Sequence, residues 1–149
     1  MRTVANILIN KAPTFNFIAP NAKIIEALQL MNSVNLSYVI VKEGTEFLGI
    51  FSERDYSRNV ILKGLHSNSS SVQEVMSTSI PMVGMQDTVE HCMEMLNTHK
   101  TRYLVVIDDK EFKGVVTIND VLREALENKE MVFDKLTILQ ATEMQDQVF

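Results

Sequence analysis

Gly49-Ile50-Phe51-Ser52-Glu53-Arg54-Asp55 and Gly114-Val115-Val116-Thr117-Ile118-Asn119-Asp120 are two versions of one pattern: a glycine, two bulky apolar residues, a hydroxyl residue, and an aspartate three residues after the hydroxyl. The offset between them (114 − 49 = 65) also superposes Tyr38 on Tyr103 and Arg58 on Arg123, without a gap from Phe15 to Leu62. Most of the chain is therefore one unit written twice. Two copies are too few for a solenoid, so the expected architecture is a pair of small α/β units that each leave a face to bury.

The order of periodicities can be read independently in each copy. Phe15-Asn16-Phe17-Ile18 and Ile80-Pro81-Met82-Val83 read as short extended stretches. Ile24, Ala27, Leu28 and Met31 then fall at i, i+3, i+4 and i+7, and Val89, Cys92, Met93 and Leu96 repeat that helical stripe. Next come Tyr38-Val39-Ile40-Val41 and Tyr103-Leu104-Val105-Val106-Ile107, whose unbroken apolarity predicts strands covered on both faces. A turn (Glu43-Gly44; Asp108-Asp109-Lys110), a second strand (Phe47 to Phe51; Phe112 to Val116) and a closing helix from about Asp55 and Asp120 complete a β-α-β-β-α unit. The helical crossover makes the first two strands parallel. The last two form an antiparallel hairpin.

Val4-x-x-Ile7-Leu8 resembles Val72-x-x-Val75-Met76, now at an offset of 68 (72 − 4), so each copy has a short helical lead-in and the first has three extra residues after it. The organisation expected is repeat 1 over residues 1–62, a small polar linker over 63–71, repeat 2 over 72–128 and a tail over 129–149. In the tail Val132, Phe133, Leu136 and Leu139 form a candidate helical stripe.

With 149 residues, 46% of them hydrophobic, the chain suits one compact body with a real core. Its net charge of −5 and lack of a basic patch argue against a nucleic-acid partner. No apolar run approaches the ~18–20 residues of a membrane span, and the first eight residues are too polar for a secretory core. A single cysteine fits a reducing compartment, so a cytoplasmic location is expected. Cys92 lies on a helical stripe opposite Ala27 of the other copy and reads as a buried structural residue rather than a nucleophile. His66, His91 and His99 have no paired metal spacing, so no metal is expected.

The duplicated β-α-β-β-α unit, each copy ending in Gly-x-x-[Ser/Thr]-x-x-Asp and led in by Val-x-x-[Ile/Val]-[Leu/Met], resembles a tandem pair of CBS domains, the Bateman module. The resemblance runs from Val4 to Asn128, and Phe51-Ser52-Glu53-Arg54-Asp55-Tyr56-Ser57-Arg58 is similar to the same block in stand-alone two-CBS proteins. It implies an α/β (α+β) fold of two repeats related by a pseudo-two-fold axis. It also implies clefts between the repeats that bind adenosine nucleotides such as AMP, ADP, ATP, NAD or S-adenosylmethionine, and a homodimer built as a flat disk. Ile25, Leu28, Met93 and Met95 are the apolar helix positions expected at such a dimer face.

The resemblance assigns residues as well. Asp55 and Asp120 would each accept two hydrogen bonds from a ribose diol, and Ser52 and Thr117 would cap the following helix or bond a phosphate. Arg54, Lys100 and Arg102 are the phosphate candidates; Arg54 has Asn119 as its counterpart, so the two sites are not electrostatically equal. Tyr38 and Tyr103 begin strands that line the cleft in this family. Phe17-Ile18 and Met82-Val83 would present backbone groups to the adenine, with Phe17 and Met82 bulkier than the family's usual Thr or Ser. Each assignment has a plainer counterpart: Ser52-x-x-Asp55 and Thr117-x-x-Asp120 are good helix caps, and the tyrosines are good packing residues. The function expected is regulatory nucleotide sensing without catalysis, acting on a partner protein or on oligomeric state. The alternatives are a purely structural dimerisation module with degenerate clefts and, with little support, a small hydrolase using Cys92 or a histidine.

Overall fold

The structure, a computed structural model, describes residues 2–127. The tail expected over 129–149 lies outside the described residues. Contacts divide the chain into two compact units, one over Pro13–Ser79 and the other made of residues 2–12 together with 80–127.

In the first unit β1 (Phe17–Ile18) leads to α2 (Ile24–Val34), β2 (Tyr38–Glu43) and β3 (Glu46–Ser52), and then to a short helical turn α3 (Glu53–Asp55). The sheet order is β1-β2-β3, with β1 parallel to β2 and β2 antiparallel to β3. This is the arrangement that the crossover helix and the tight hairpin demand. Ile24, Ala27 and Met31 of α2 bury against Val39, Val41 and Phe51 of the sheet. After Asp55 the helix widens over Tyr56–Ile61 into a π-helical stretch, with Leu62 N–H donating to Ser57 O.

The second unit repeats the plan with β4 (Met82–Val83), α4 (Val89–His99), β5 (Tyr103–Asp108), β6 (Glu111–Thr117) and a regular α5 (Ile118–Glu127). Its hairpin turn holds both Asp109 and Lys110 at positive φ, where the first hairpin needs only Gly44 to be positive. Both are primed turns of the kind that match strand twist. Tyr38 to Val41 and Tyr103 to Val106 are buried without exception, as unbroken apolarity predicted. Met93 is 3% exposed and belongs to the core, so it does not contribute to an open dimer face; Ile25, Leu28 and Met95 are half-buried.

Each lead-in packs on the repeat it does not precede. The helix α1 (Val4–Asn10) is hydrogen-bonded to the second unit through Val4 N–H to Asp87 O and Ala5 N–H to Met85 O, and buries Val4 and Ile7 beside Val89, Leu104 and Val116. The turn Val72–Glu74 is bonded to the first unit through Val72 N–H to Ala22 O, and buries Val72 and Val75 beside Ile24 and Val39. Full burial of one such side chain contributes about 1.5–3 kcal/mol, so these two-residue anchors outweigh the capping interactions around them.

The exchange explains the duplicated glycine. At Gly49 the lead-in crosses β3 so closely that a Cβ would lie 2.7 Å from Ser77 O and 2.9 Å from Met76 Sδ. At Gly114 the corresponding neighbour is Leu8, at 3.4 Å. Gly49→Ala is therefore expected to lower stability by about 1–3 kcal/mol through overpacking against backbone. Gly84→Ala, whose Cβ would meet nothing nearer than 3.8 Å, should not. Urea midpoints of the two variants check this, and a Gly49→Ala midpoint at the wild-type value would remove the tight crossing.

Candidate functional site

The pairing of each hairpin brings the first residue of one strand opposite the last residue of the next. Tyr38 of β2 pairs with Ser52 of β3, and Tyr103 of β5 pairs with Thr117 of β6. Glu53 N–H then donates to Ser37 O and Ile118 N–H to Arg102 O, which ties the start of each closing helix to the residue just before the tyrosine. Tyrosine, hydroxyl and aspartate are thus gathered within each unit. Arg102 is half-buried at this point in the second unit, and half-buried Arg54 precedes Asp55 in the first.

Both aspartates are capping residues. Ser52 N–H donates to Asp55 Oδ2 at 2.9 Å, and Asp55 N–H to Ser52 Oγ at 3.3 Å. Thr117 N–H donates to Asp120 Oδ2 at 2.9 Å, and Asp120 N–H to Thr117 Oγ1 at 3.2 Å. These reciprocal bonds satisfy N–H groups that a helix start would leave without partners. Each aspartate is only 6% exposed.

The two carboxylates differ in everything else that surrounds them. Asp55 is ringed by neutral donors: Ser52 Oγ at 3.1 Å from Oδ2, and Ser77 Oγ at 2.7 Å and Asn59 Nδ2 at 3.4 Å from Oδ1. With Ser52 N–H these donors take all four lone-pair positions of an ionised carboxylate. Asp120 is ringed by cations: Lys11 Nζ at 2.8 Å from Oδ2 and Arg123 Nη1 at 3.3 Å from Oδ1. Lys11 also donates to Val115 O at 2.9 Å. Among the described residues, Asp120 Oδ1 receives that single long bond, from an arginine whose side chain is 57% exposed.

Local conformation accounts for part of this difference. In the regular turns of α5 the residue three after the aspartate, Arg123, reaches Oδ1. In the π-helical stretch it is the residue four after, Asn59, which also donates to Val75 O at 3.1 Å. The rest comes from the lead-ins. The three extra residues after the first allow α1 to run to Asn10 and deliver Lys11, whereas the shorter second lead-in runs straight into a bridge with Ile50 and delivers Ser77. Lys11, Ser77 and Asn59 are site residues that pattern reading passed over; an insertion in one copy at this point is the signal that would have found Lys11. Arg123 was visible as a repeated arginine.

The remaining candidates lie further out. Lys100 caps α4 in the left-handed conformation, at φ 50°, as Asn35 caps α2 at φ 55°, and its side chain is exposed. Phe17 and Met82 point away from the cores, 44% and 65% exposed, and Lys42 Nζ lies 3.9 Å above the Phe17 ring. Val83 is buried and Ile18 half-buried. Tyr38 and Tyr103 are 3% and 8% exposed. Burial, with Asp87 nearby, pushes the Cys92 thiol up to about 12, which leaves no thiolate for nucleophilic chemistry at neutral pH. Among the described residues no group of three or more His, Cys, Asp or Glu is placed to hold a metal, and no helix is long and apolar enough to cross a membrane.

Burial raises the Asp55 carboxyl above its ordinary value of 3.8, against the opposing hydrogen bonds from Ser77 and Ser52 and the charge of Arg54. A raised value means that the folded state holds its proton more tightly than the unfolded chain does. Ionising Asp55 therefore costs stability; the cost is absent below the unfolded value and complete above the folded one. Relative to wild type, Asp55→Asn should gain stability as pH rises from about 4 toward neutrality. Urea unfolding of both proteins across that range would show it, and a difference independent of pH would count against it.

Comparison with known proteins places this geometry. The family model for the CBS domain matches residues 4–61 and again 72–127. The mitochondrial CBS domain-containing protein CBSX3 of Arabidopsis thaliana is 32% identical over 103 residues, which is 66% of this chain and 50% of that protein. The match thus spans half the length of that relative. A solved structure of a protein with CBS domains from Burkholderia ambifaria is 26% identical, with a TM-score of 0.78 covering 89% of this chain and 99% of that one. The structure of CBSX2 in complex with AMP is 25% identical, with a TM-score of 0.69 covering 85% and 98%. Two matched domains in tandem, each with the three-stranded sheet and closing helix described above, make this chain a member of the CBS domain family.

Proposed function

We propose that the chain is a regulatory module that binds an adenosine nucleotide of the AMP, ADP, ATP or NAD type, performs no catalysis, and passes its occupancy to a partner protein or to its own assembly state. The observation that carries this reading is Asp120: a buried carboxylate at a strand end, flanked by two cations, with acceptor capacity left on Oδ1. A ribose diol offers the donors such a carboxylate takes. Thr117 Oγ1 at the start of α5 is the hydroxyl proposed to meet a phosphate, with Arg102 and Lys100 as the positive charges of this unit and Arg54 as that of the unit around Asp55. The AMP complex of the similar CBSX2 supports the choice of ligand class. The tyrosines Tyr38 and Tyr103 and the strand segments Phe17-Ile18 and Met82-Val83 complete the candidate set.

Sensing needs differential affinity. A nucleotide shifts a conformational equilibrium only by as much as it prefers one arrangement over another, and the output then falls to a regulated protein or to homodimer formation. A reducing, cytoplasmic setting suits the buried thiol, although the relative CBSX3 is described as mitochondrial. The competing reading is an assembly module that binds nothing, and it draws on Asp55, whose carboxylate is filled by protein donors.

Ligand that binds only the folded state raises stability by about 2.7 kcal/mol at 100 times its dissociation constant. For a domain of this size that is a rise in melting temperature of about 5–10 °C. Adenosine nucleotides should produce it and guanosine and cytidine nucleotides should produce less. Unchanged melting in millimolar AMP, ADP, ATP and NAD would decide for the assembly module. Sedimentation of the free protein should give about twice 16.9 kDa, and a monomer at micromolar concentration would remove the homodimer.

A further inference from the structure

Ser77 comes from the exchanged lead-in and is fixed by two backbone bonds to β3, Ile50 N–H to Ser77 O at 3.0 Å and Ser77 N–H to Ile50 O at 2.8 Å. That bridge sets its hydroxyl 2.7 Å from Asp55 Oδ1, the shortest of the bonds to either aspartate. A hydroxyl donating to a buried carboxylate is also what a ribose would bring. We propose that Ser77 Oγ is a built-in occupant of the Asp55 carboxylate, standing in for a sugar hydroxyl, and that it confines nucleotide in this chain to Asp120. The inference rests on the nucleotide-binding reading above and deepens it.

The chemistry follows from exchange of like for like. A sugar hydroxyl arriving at Asp55 Oδ1 must displace a short, charge-assisted hydroxyl bond to form one of the same kind, so it gains little. The competitor is held in place by the fold and pays no entropy of association. At Asp120 the same hydroxyl finds Oδ1 engaged, among the described residues, by Arg123 alone at 3.3 Å, and the exposed arginine gives way at small cost. Lys11 is held by Asp120 Oδ2 and Val115 O and so leaves Oδ1 open while balancing charge. No residue of the first lead-in repeats the Ser77 contact, because α1 continues past the equivalent point, where Ile9 stands.

Calorimetric titration of the full chain with AMP tests this. The wild type should bind about one AMP per chain, and Asp120→Ala should weaken that site by about tenfold to a hundredfold. Ser77→Ala keeps the backbone bridge but removes the hydroxyl; it should bind about two, with the added site lost in the Ser77→Ala, Asp55→Ala double variant. Ser77→Thr retains the hydroxyl and should return the count to one, which separates the hydroxyl's role from any loss of folding in Ser77→Ala. An AMP site in the wild type that Asp55→Ala abolishes, or a folded Ser77→Ala that still binds one, overturns the inference and leaves the nucleotide reading standing. Failure of AMP, ADP, ATP and NAD to bind wild type or any variant overturns both.

Discussion

The structure depends on one close approach: a two-residue apolar anchor laid across a strand position that has no Cβ. Val72 and Val75 reach the core of the first unit only because Gly49 lets backbone and Met76 pass within contact distance, and Val4 and Ile7 reach the second beside Gly114 and Leu8. Without the anchors each β-α-β-β-α unit would expose the end of its core at Phe51 or Val116. Because each anchor is the N-terminal lead-in of the other repeat, neither repeat is a self-sufficient folding unit. A fragment of residues 15–62 has the strands and helix but lacks Val72 and Val75, which together bring about 3–6 kcal/mol, a large share of typical domain stability.

The same crossing decides the chemistry beside it. The residues that follow each anchor must go somewhere near the strand end, and the strand end is where the capped aspartate sits. One chain continues helically and sets down a lysine; the other turns into a bridge and sets down a serine. Duplication made the two carboxylates alike, and the unequal length of the lead-ins made their surroundings unlike. Capping and ligand binding compete for the same oxygen lone pairs, so the number of protein donors at each carboxylate measures what remains for anything else.

Periodicity made the fold legible. Of the stripe Ile24, Ala27, Leu28, Met31 and its copy Val89, Cys92, Met93, Leu96, all but the half-buried Leu28 are buried where period 3.6 placed them, and the continuous runs at Tyr38 and Tyr103 are strands buried as far as Val41 and Val106, with Ile107 half-buried. The capping pattern was also legible, because it lies within four consecutive residues. The partners of the aspartates were not. Lys11 lies 109 positions from Asp120 and Ser77 lies 22 from Asp55. Contacts at such separations depend on the exchange of lead-ins, and the apolar pattern of a lead-in says that it will be buried without saying in which copy of the same core. Met93 shows the same limit at short range: its stripe position was read correctly, but its exposure depends on which neighbour covers the helix.

An internal hydroxyl on one carboxylate and cations on the other give two sites with different physical controls. The donors on Asp55 are the neutral groups of Ser52, Asn59 and Ser77, whose bonds salt screens little. The environment of Asp120 is built from ion pairs, one with Lys11 at 16% side-chain exposure and one with Arg123 at 57%. The outer pair is screened and weak, the inner pair much less so. Lys11 therefore acts as a fixed counter-charge and Arg123 as a replaceable one. A buried carboxylate with a fixed counter-charge on one oxygen and a replaceable donor on the other can accept an incoming hydroxyl without leaving its own charge unbalanced, and that is the property a reversible sensor of a sugar hydroxyl requires.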